Sequence, residues 1–283
     1  MARVDGSARR RREVPEIRTY LATVLRVAAL TPRMLRLTVG GPGLRGFEAG
    51  RRAEERIKLF FPPEGHTAPA LPEIGPEGVR FPPGAPLPHA RNYTVRRFDP
   101  AGPELDIDFV VHGDGRASNW ARQATPGALL GIAGPTGGSL PSEAADLHLI
   151  AGDETALPAI ASLLERLPSG ARAQVIAEVG DAADRQQLEW APGAMVSVQW
   201  VYRAPGAWVT PTPLERAVRA FSWPAGVVHA WVAGEAAAVR DIRRYLRDER
   251  KLGREELHAS GYWRYGKTVE EWVQGEGEPA AEY

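Results

Sequence analysis

Arg91-Asn-Tyr-Thr-Val-Arg96 places two guanidinium groups and a phenol ring within six residues of chain. Read as a strand, the segment turns Arg91, Tyr93 and Val95 to one face and Asn92, Thr94 and Arg96 to the other. A flat, electron-accepting ring needs a stacking surface and a hydrogen-bond donor at its edge, and a pyrophosphate needs a fixed bidentate cation. A flavin dinucleotide asks for both. Taken alone, the hexapeptide also reads as an exposed antiparallel strand with one polar face.

The next motif is Asp108-Phe-Val-Val-His-Gly113, followed by Asp114-Gly115-Arg116-Ala117-Ser118-Asn119-Trp120. Gly113 and Gly115 end a strand and let backbone approach a ligand, and Ala117–Gln123 can begin a helix whose first N–H groups point at an anion. Ser118 adds a hydroxyl there. An ordinary N-cap accounts for these residues in isolation. A ring-holding strand and a phosphate nest in consecutive elements suit one extended dinucleotide.

Further along, Gly152-Asp-Glu-Thr-Ala-Leu-Pro158 lacks the G-x-G-x-x-G fingerprint and reads as a helix start capped by Asp153 or Thr155. Glu178 and Asp181 end a strand where a carboxylate can bond ribose hydroxyls and disfavour a 2′-phosphate. Arg185 and Arg203 offset that preference, which leaves NADH and NADPH open.

Two kinds of element pattern have to position these groups. Before residue 140, alternation over Ile17–Val39, Arg56–Phe61, Arg91–Arg97, Glu104–Val111 and Leu129–Ala133 predicts an antiparallel six-stranded β-barrel. Residues 62–88, rich in proline and glycine without period, read as a long surface excursion. After Gly137-Gly138 short apolar runs alternate with amphipathic segments: Leu147–Ala151, Ala173–Val179, Val196–Val201 and Val227–Ala233 as strands. Helices are predicted at Thr155–Leu167, Asp184–Leu188, Leu214–Phe221 and Ala236–Arg250. That is βαβ repetition, hence an α/β domain on a parallel sheet. Leu257–Arg264 reads as a last strand and Val269–Val273 as a short helix or loop. The chain divides into a disordered basic tail at 1–15 containing Arg9–Arg12, a flavin-binding barrel at 16–141 and a nucleotide-binding domain at 142–283.

Composition narrows the function. Lysine plus arginine and aspartate plus glutamate stand at 35 each in 283 residues, so no whole-molecule field draws the chain to nucleic acid or membrane. With no cysteine there is no thiolate nucleophile and no cysteine-ligated cluster. The six histidines lack metal-site spacing, so no protein-bound metal is expected. No apolar run reaches the ~20 residues a membrane span needs, and the expectation is a cytoplasmic protein without integral membrane contact.

Residues from about 18 to 266 resemble the siderophore-interacting protein family, flavin reductases of the ferredoxin-reductase-like superfamily. The likeness rests on Arg91–Arg96, on Asp108–Gly113 with Gly115–Ser118 and Trp120, on Ala151–Ala159, and on Gly261-Tyr-Trp-Arg264 with Gly266. It implies that Arg91, Tyr93, Thr94 and Arg96 hold the ring and phosphates of FAD, with Tyr93 stacked and Thr94 near the N5 edge. It also implies that His112, Gly113, Gly115, Ala117 and Ser118 line the ribityl and pyrophosphate path. Asp153, Glu154, Thr155 and Ala156 then form a turn on the nicotinamide side. The implied reaction passes hydride from NADH or NADPH to FAD and single electrons to Fe(III), releasing Fe(II) from a siderophore. Such substrates are bulky and often anionic, which points to Lys58, Arg264 and Lys267, although each is also an ordinary surface cation. No residue is assigned as general acid, base or nucleophile. Two alternatives stand beside this reading: electrons taken from ferredoxin on the same fold, and a flavin-containing siderophore-binding protein without useful turnover.

Overall fold

In the computed structural model the described residues are 17–75, 77–111, 113, 115–203, 209–268 and 270–272. The N-terminal tail lies outside them.

The first unit contains strands β1 (Thr19–Thr31), β2 (Met34–Gly40), β3 (Arg56–Phe61), β4 (Glu73–Gly75), β5 (Gly78–Arg80), β6 (His89–Thr94), β7 (Arg97–Asp99) and β8 (Glu104–Val110). Helix α1 (Arg116–Gln123) and strand β9 (Leu129–Thr136) follow. Seven of these strands form one antiparallel sheet in the order β6-β3-β9-β1-β2-β8-β7. Six were expected. The difference lies at Val95 and Arg96, which interrupt what is otherwise one stave: Val95 N–H donates to the Glu55 carbonyl (2.8 Å) and Arg96 N–H to that of Asp106 (3.0 Å). The stave pairs with β3 at one end and β8 at the other, so its bend closes the barrel.

Period-2 alternation fills the interior with Tyr20, Ala22, Val24, Leu37, Ile57, Leu59, Ile107, Phe109 and Ile132, and α1 adds Ala117 and Ala121 to the same cluster. The excursion after β3 is more ordered than its composition suggests. It contains the β4/β5 hairpin and lays Phe81 against Phe60 on the barrel's outer face.

The second unit contains β10 (Leu147–Asp153), α2 (Leu157–Leu164), β11 (Arg172–Val179), β12 (Met195–Tyr202), α3 (Pro213–Ala220), β13 (Val228–Glu235), α4 (Ala236–Asp248) and β14 (Leu257–Trp263). All five strands are parallel, in the order β12-β11-β10-β13-β14. Leu149, Ala151, Ile176 and Val232 pack with residues of α3 and α4, while Ile150, Val175, Ala177 and Ala233 pack with those of α2. The chain order reverses between β10 and β13, which makes their carboxyl ends the place where ligands of such sheets bind.

One predicted helix is absent. In place of Asp184–Leu188 there is a single 3-10 turn, Ala182–Asp184, and Arg185 already has extended backbone. Leu188 is the lone apolar residue of that stretch, so it has no stripe to bury. Asp181 spends its carboxylate capping the Ala183 N–H, which completes one turn and no more. Helix α2 starts later than predicted because Glu154–Ala156 forms a 3-10 turn capped by Asp153. At the C-terminal end, Glu270–Trp272 are helical, and Thr268 and Glu271 cap each other's backbone N–H.

The two units share a core. Met34 and Ala53 of the barrel belong to the same buried cluster as Leu157, Ile160 and Trp231. At its centre sits Glu54, buried and in left-handed backbone (φ 51°). Its carboxylate accepts from Ser139 Oγ (2.8 Å) and Trp231 Nε1 (3.0 Å), and its N–H donates to Ser162 Oγ (2.8 Å). A buried carboxylate so placed bonds both units and fixes their contact.

Candidate functional site

The barrel contributes a basic, aromatic mouth. Alternation on β6 brings His89, Arg91 and Tyr93 to one side, where Tyr93 packs its ring 4.4 Å from Phe109 and 6.5 Å from Phe61, with Trp120 of α1 against Phe61 (5.2 Å). Burial pushes the Tyr93 hydroxyl up from its ordinary pKa. Arg91 makes a two-pronged contact with the Glu270 carboxylate (2.8 and 2.9 Å). Hydrogen bonding from Arg91 holds that carboxyl down to about 2.

His89 lies 3.3 Å from Glu270 through Nδ1, while its Nε2 is buried with no partner. Burial, with Arg91 and Arg116 adding to it and Glu270 opposing, lowers the His89 pKa to about 4. Arg116 therefore belongs to the same electrostatic neighbourhood. It opens α1, whose N-cap Gly115 supplies no side-chain acceptor and whose first turn holds no acid. Gly113 has φ 46° just before it. The start of α1 and the two guanidinium groups form a donor set for a diphosphate. The adjacent aromatic cluster suits a flat ring, so the residues present fit a flavin dinucleotide.

The other residues predicted for that dinucleotide are placed as follows. Thr94 is buried on the opposite strand face with Tyr262 of β14 beside it. Arg96 forms an ion pair with Glu165 at the end of α2 (2.8 Å), joining the two units. Ala117 and Ser118 are buried in the first turn of α1. His112 lies outside the described residues.

At the reversal point of the parallel sheet, Asp153 ties three strands together. Its Oδ1 accepts from Thr155 N (2.9 Å) and Oγ1 (2.6 Å), and its Oδ2 from Glu235 N (2.8 Å) and Trp263 Nε1 (2.8 Å). Burial raises the pKa of this carboxyl and Glu154 adds to the effect, whereas the Thr155 and Trp263 bonds oppose it. Gly234 (φ 143°) faces Asp153 so closely that a Cβ there would lie 2.5 Å from Oδ2. Only glycine permits that approach.

Toward the sheet edge, Arg203 bonds both oxygens of Glu154 (3.0 and 2.5 Å) and Oε1 of Glu178 (2.9 Å). The other Glu178 oxygen accepts the Leu214 N–H at the start of α3 (2.9 Å). Glu178 is 2% exposed, so this pair acts as internal bracing of the strand ends. Ala156 is fully buried behind it.

Of the predicted substrate cations, Lys58 is exposed on β3 as the cross-strand partner of Asn92. Arg264 donates to Glu235 Oε1 (3.1 Å), and Lys267 is exposed in the turn that follows. Tyr262 lies by Thr94 and Glu270 on Arg91, and Asn92 lies between those two contact points on β6. No cluster of three or more metal-ligating side chains occurs among the described residues.

Glu54, His89, Arg116, Trp263 and Glu270 were not singled out by sequence reasoning. Thr268-x-x-Glu271 does mark a helix start, but nothing in the chain ties its neighbour Glu270 to Arg91, 179 residues away.

Three wholly or partly buried histidines give the protein a pH signature. Burial lowers the pKa of His89, of His148 with its neighbour His229 assisting, and of His258, where Glu54 opposes and Arg56 assists. A histidine whose folded pKa lies below the unfolded value of about 6.5 binds its proton first in the unfolded chain, so stability is lost as pH falls through that value. The melting temperature should be level from pH 8 to 7 and drop between about pH 6.5 and 5, above the range where carboxylates titrate. His89→Asn and His148→Asn should each flatten that slope in a thermal series. A flat parent profile would contradict the assignment.

Comparison with known proteins identifies the family. Residues 23–139 match the siderophore-interacting FAD-binding domain and residues 145–266 the siderophore-interacting protein model. The chain is 36% identical over 261 residues to the ferric vibriobactin reductase ViuB of Vibrio cholerae, covering 91% of this chain and 94% of that one. It is 32% identical over 252 residues to an NADPH-dependent ferric-chelate reductase of Escherichia coli, covering 88% and 94%. A siderophore utilization protein from T. fusca has a similar structure, with a TM-score of 0.78, 38% identity and coverage of 89% and 95%. With both halves matched and relatives similar over nearly their whole length, the chain belongs to the siderophore-interacting protein family and has its ferredoxin-reductase-like fold.

Proposed function

We propose that this protein is an FAD-dependent NAD(P)H:ferric-siderophore oxidoreductase. The reading is carried by the convergence of Arg91, Arg116, Tyr93 and the start of α1 on the barrel, next to the carboxyl ends of a parallel sheet. Bound FAD supplies the exchange between a two-electron hydride donor and a one-electron metal acceptor.

The chain's own residues hold and orient. Arg91, Arg116 and the first turn of α1 would take the diphosphate, and Tyr93 and Thr94 would hold the ring. Asp153 keeps the ends of β10, β13 and β14 in one arrangement for the nicotinamide. Lys58, Arg264 and Lys267 supply positive charge for an anionic ferric complex. Fe(III) is held by hard oxygen donors through its charge density, so reduction to Fe(II) weakens the complex and lets iron go. No protein group has to gain or lose a proton for that step.

In this scheme residues 16–141 serve the flavin and 142–283 the donor. The site of action is the cytoplasm, where nicotinamide donors are, in keeping with the absence of any helix long and apolar enough to cross a membrane among the described residues.

Anaerobic mixing tests the donor. NADPH or NADH should bleach the flavin absorbance, and a ferric siderophore added next should restore it. Bleaching by reduced ferredoxin alone would reassign the donor, and no bleaching by any of the three would leave a siderophore-binding protein.

A further inference from the structure

The parallel sheet has two edges, and the chain closes one of them. At β14, Tyr262 lies by Thr94 of the barrel, and Trp272 is buried so near Gly261 that a Cβ there would lie 3.4 Å from its ring. The other edge is β12. Met195 N–H bonds the Ala171 carbonyl (2.8 Å) and Arg203 N–H that of Val179 (3.0 Å), so the odd-numbered residues of β12 bond to β11. By alternation the N–H and C=O groups of Val196, Val198, Trp200 and Tyr202 point outward. Among the described residues nothing bonds them there.

Natural sheets keep an open edge from pairing with another chain by a charge, a proline, a bulge or a very short strand. β12 uses none of these. Met195-Val-Ser-Val-Gln-Trp-Val-Tyr202 has no charged residue, proline or glycine, and it pairs with β11 without a register shift. The segment leading into it lies on the α2 face of the sheet, where Leu188, Ala191 and Ala194 pack with Val196, Val198 and Trp200. On the opposite face Met195 is 59% exposed, and Ser197 and Gln199 are exposed as well.

Charge selects the partner. Ala191 N–H bonds the Leu164 carbonyl at the end of α2 (3.0 Å), which sets the exposed Glu189 and Trp190 near the amino end of β12. Arg185 is exposed at the carboxyl end, its guanidinium carbon 5.2 Å from the ring centroid of Tyr202. Neither charge has an ion-pair partner among the described residues. A strand lying antiparallel to β12 answers both if it carries an acid by its start and a base by its end, and β12 itself is such a strand.

We infer that β12 pairs antiparallel with β12 of a second copy about a two-fold axis at Gln199, joining the two five-stranded sheets into one. This register sets Val198 against the second copy's Trp200 and Val196 against its Tyr202, so all four outward residues are used. It also brings the two Gln199 amides face to face, where each can donate and accept. The flavin mouth, with Arg91 against Glu270, lies by the opposite edge of the sheet and stays open.

Sedimentation velocity of the flavin-loaded protein tests the pairing. One strand pair with its rim is a small interface, so the 30.7 kDa chain should pass to about twice that mass between about 1 and about 100 μM. Gln199→Lys sets two like charges opposite each other on the axis and should hold the protein monomeric throughout, with its flavin content unchanged. Arg185→Glu and Glu189→Arg should each weaken association about five- to tenfold, and the double variant should recover most of that loss. A parent that stays monomeric at about 100 μM would overturn the inference. So would a dimer that Gln199→Lys leaves intact, which would place the contact on another surface. Absence of recovery in the double variant would overturn the antiparallel arrangement.

Discussion

Asp153→Ala should lower the melting temperature by about 10 °C. Four donors from two neighbouring strand ends and the following turn converge on this one carboxylate, and alanine leaves the Glu235 and Thr155 N–H groups, the Thr155 hydroxyl and the Trp263 indole N–H without it. A buried donor left unsatisfied costs about 1–3 kcal/mol, and a shared acceptor couples the losses, so about 3–5 kcal/mol is at stake. For a unit of this size each kcal/mol moves the midpoint about 2–4 °C. Asp153→Asn should fall between parent and alanine, because an amide keeps one accepting oxygen and turns a donor toward the other pair. Calorimetry decides the matter: a midpoint within 2 °C of the parent for the alanine variant would mean the strand ends are held by packing alone.

Arg91→Ala should weaken FAD about 10–100-fold. The guanidinium already holds a carboxylate with both prongs, and a diphosphate oxygen pair presents the same geometry with more charge. A charge-assisted bond of this kind is worth about 1.5–3 kcal/mol, which is the stated range. The structure adds a consequence of opposite sign. Glu270 competes for the same prongs from a half-exposed position, so Glu270→Gln should tighten FAD by a few-fold. That gain should vanish when Arg91 is already alanine. Quenching of flavin fluorescence during titration of the flavin-free protein measures all four affinities. Tightening by Glu270→Gln that persists in the Arg91→Ala background would show that the two residues act independently.

Much of the architecture was readable because it follows from short-range periodicity. Alternating Tyr20, Ala22 and Val24 or Ile57, Leu59 and Phe61 states which face is buried without reference to the rest of the chain. The α4 boundaries came within two residues, since Ala236–Asp248 carries its apolar stripe and its cap, Glu235, in sequence. Legibility failed where a single side chain overrode local pattern. The predicted helix at Asp184–Leu188 gave way to one capped turn, and the continuous strand Arg91–Arg97 broke at Val95 because closure needed its two ends on different neighbours.

The candidate site divides in the same way. The alternation of Arg91, Tyr93 and Thr94, the glycines before α1 and the Gly152–Pro158 turn are encoded within a few residues each, and so are the two kinds of sheet and their order along the chain. What each charged group is bonded to depends on contacts between distant segments. Glu178 reads as a ribose ligand at a strand end, yet folding buries it against Arg203 and Leu214 N–H. Arg96 reads as a phosphate cation and meets Glu165 of the other unit. Glu54 and Glu270 carry no local mark, and they become a hub and a competitor only when segments over a hundred residues apart are packed together. Hydrophobic alternation is a property of neighbours in sequence and survives in any context, whereas the partner of a charge is set by which desolvated groups the fold brings within 3 Å of it.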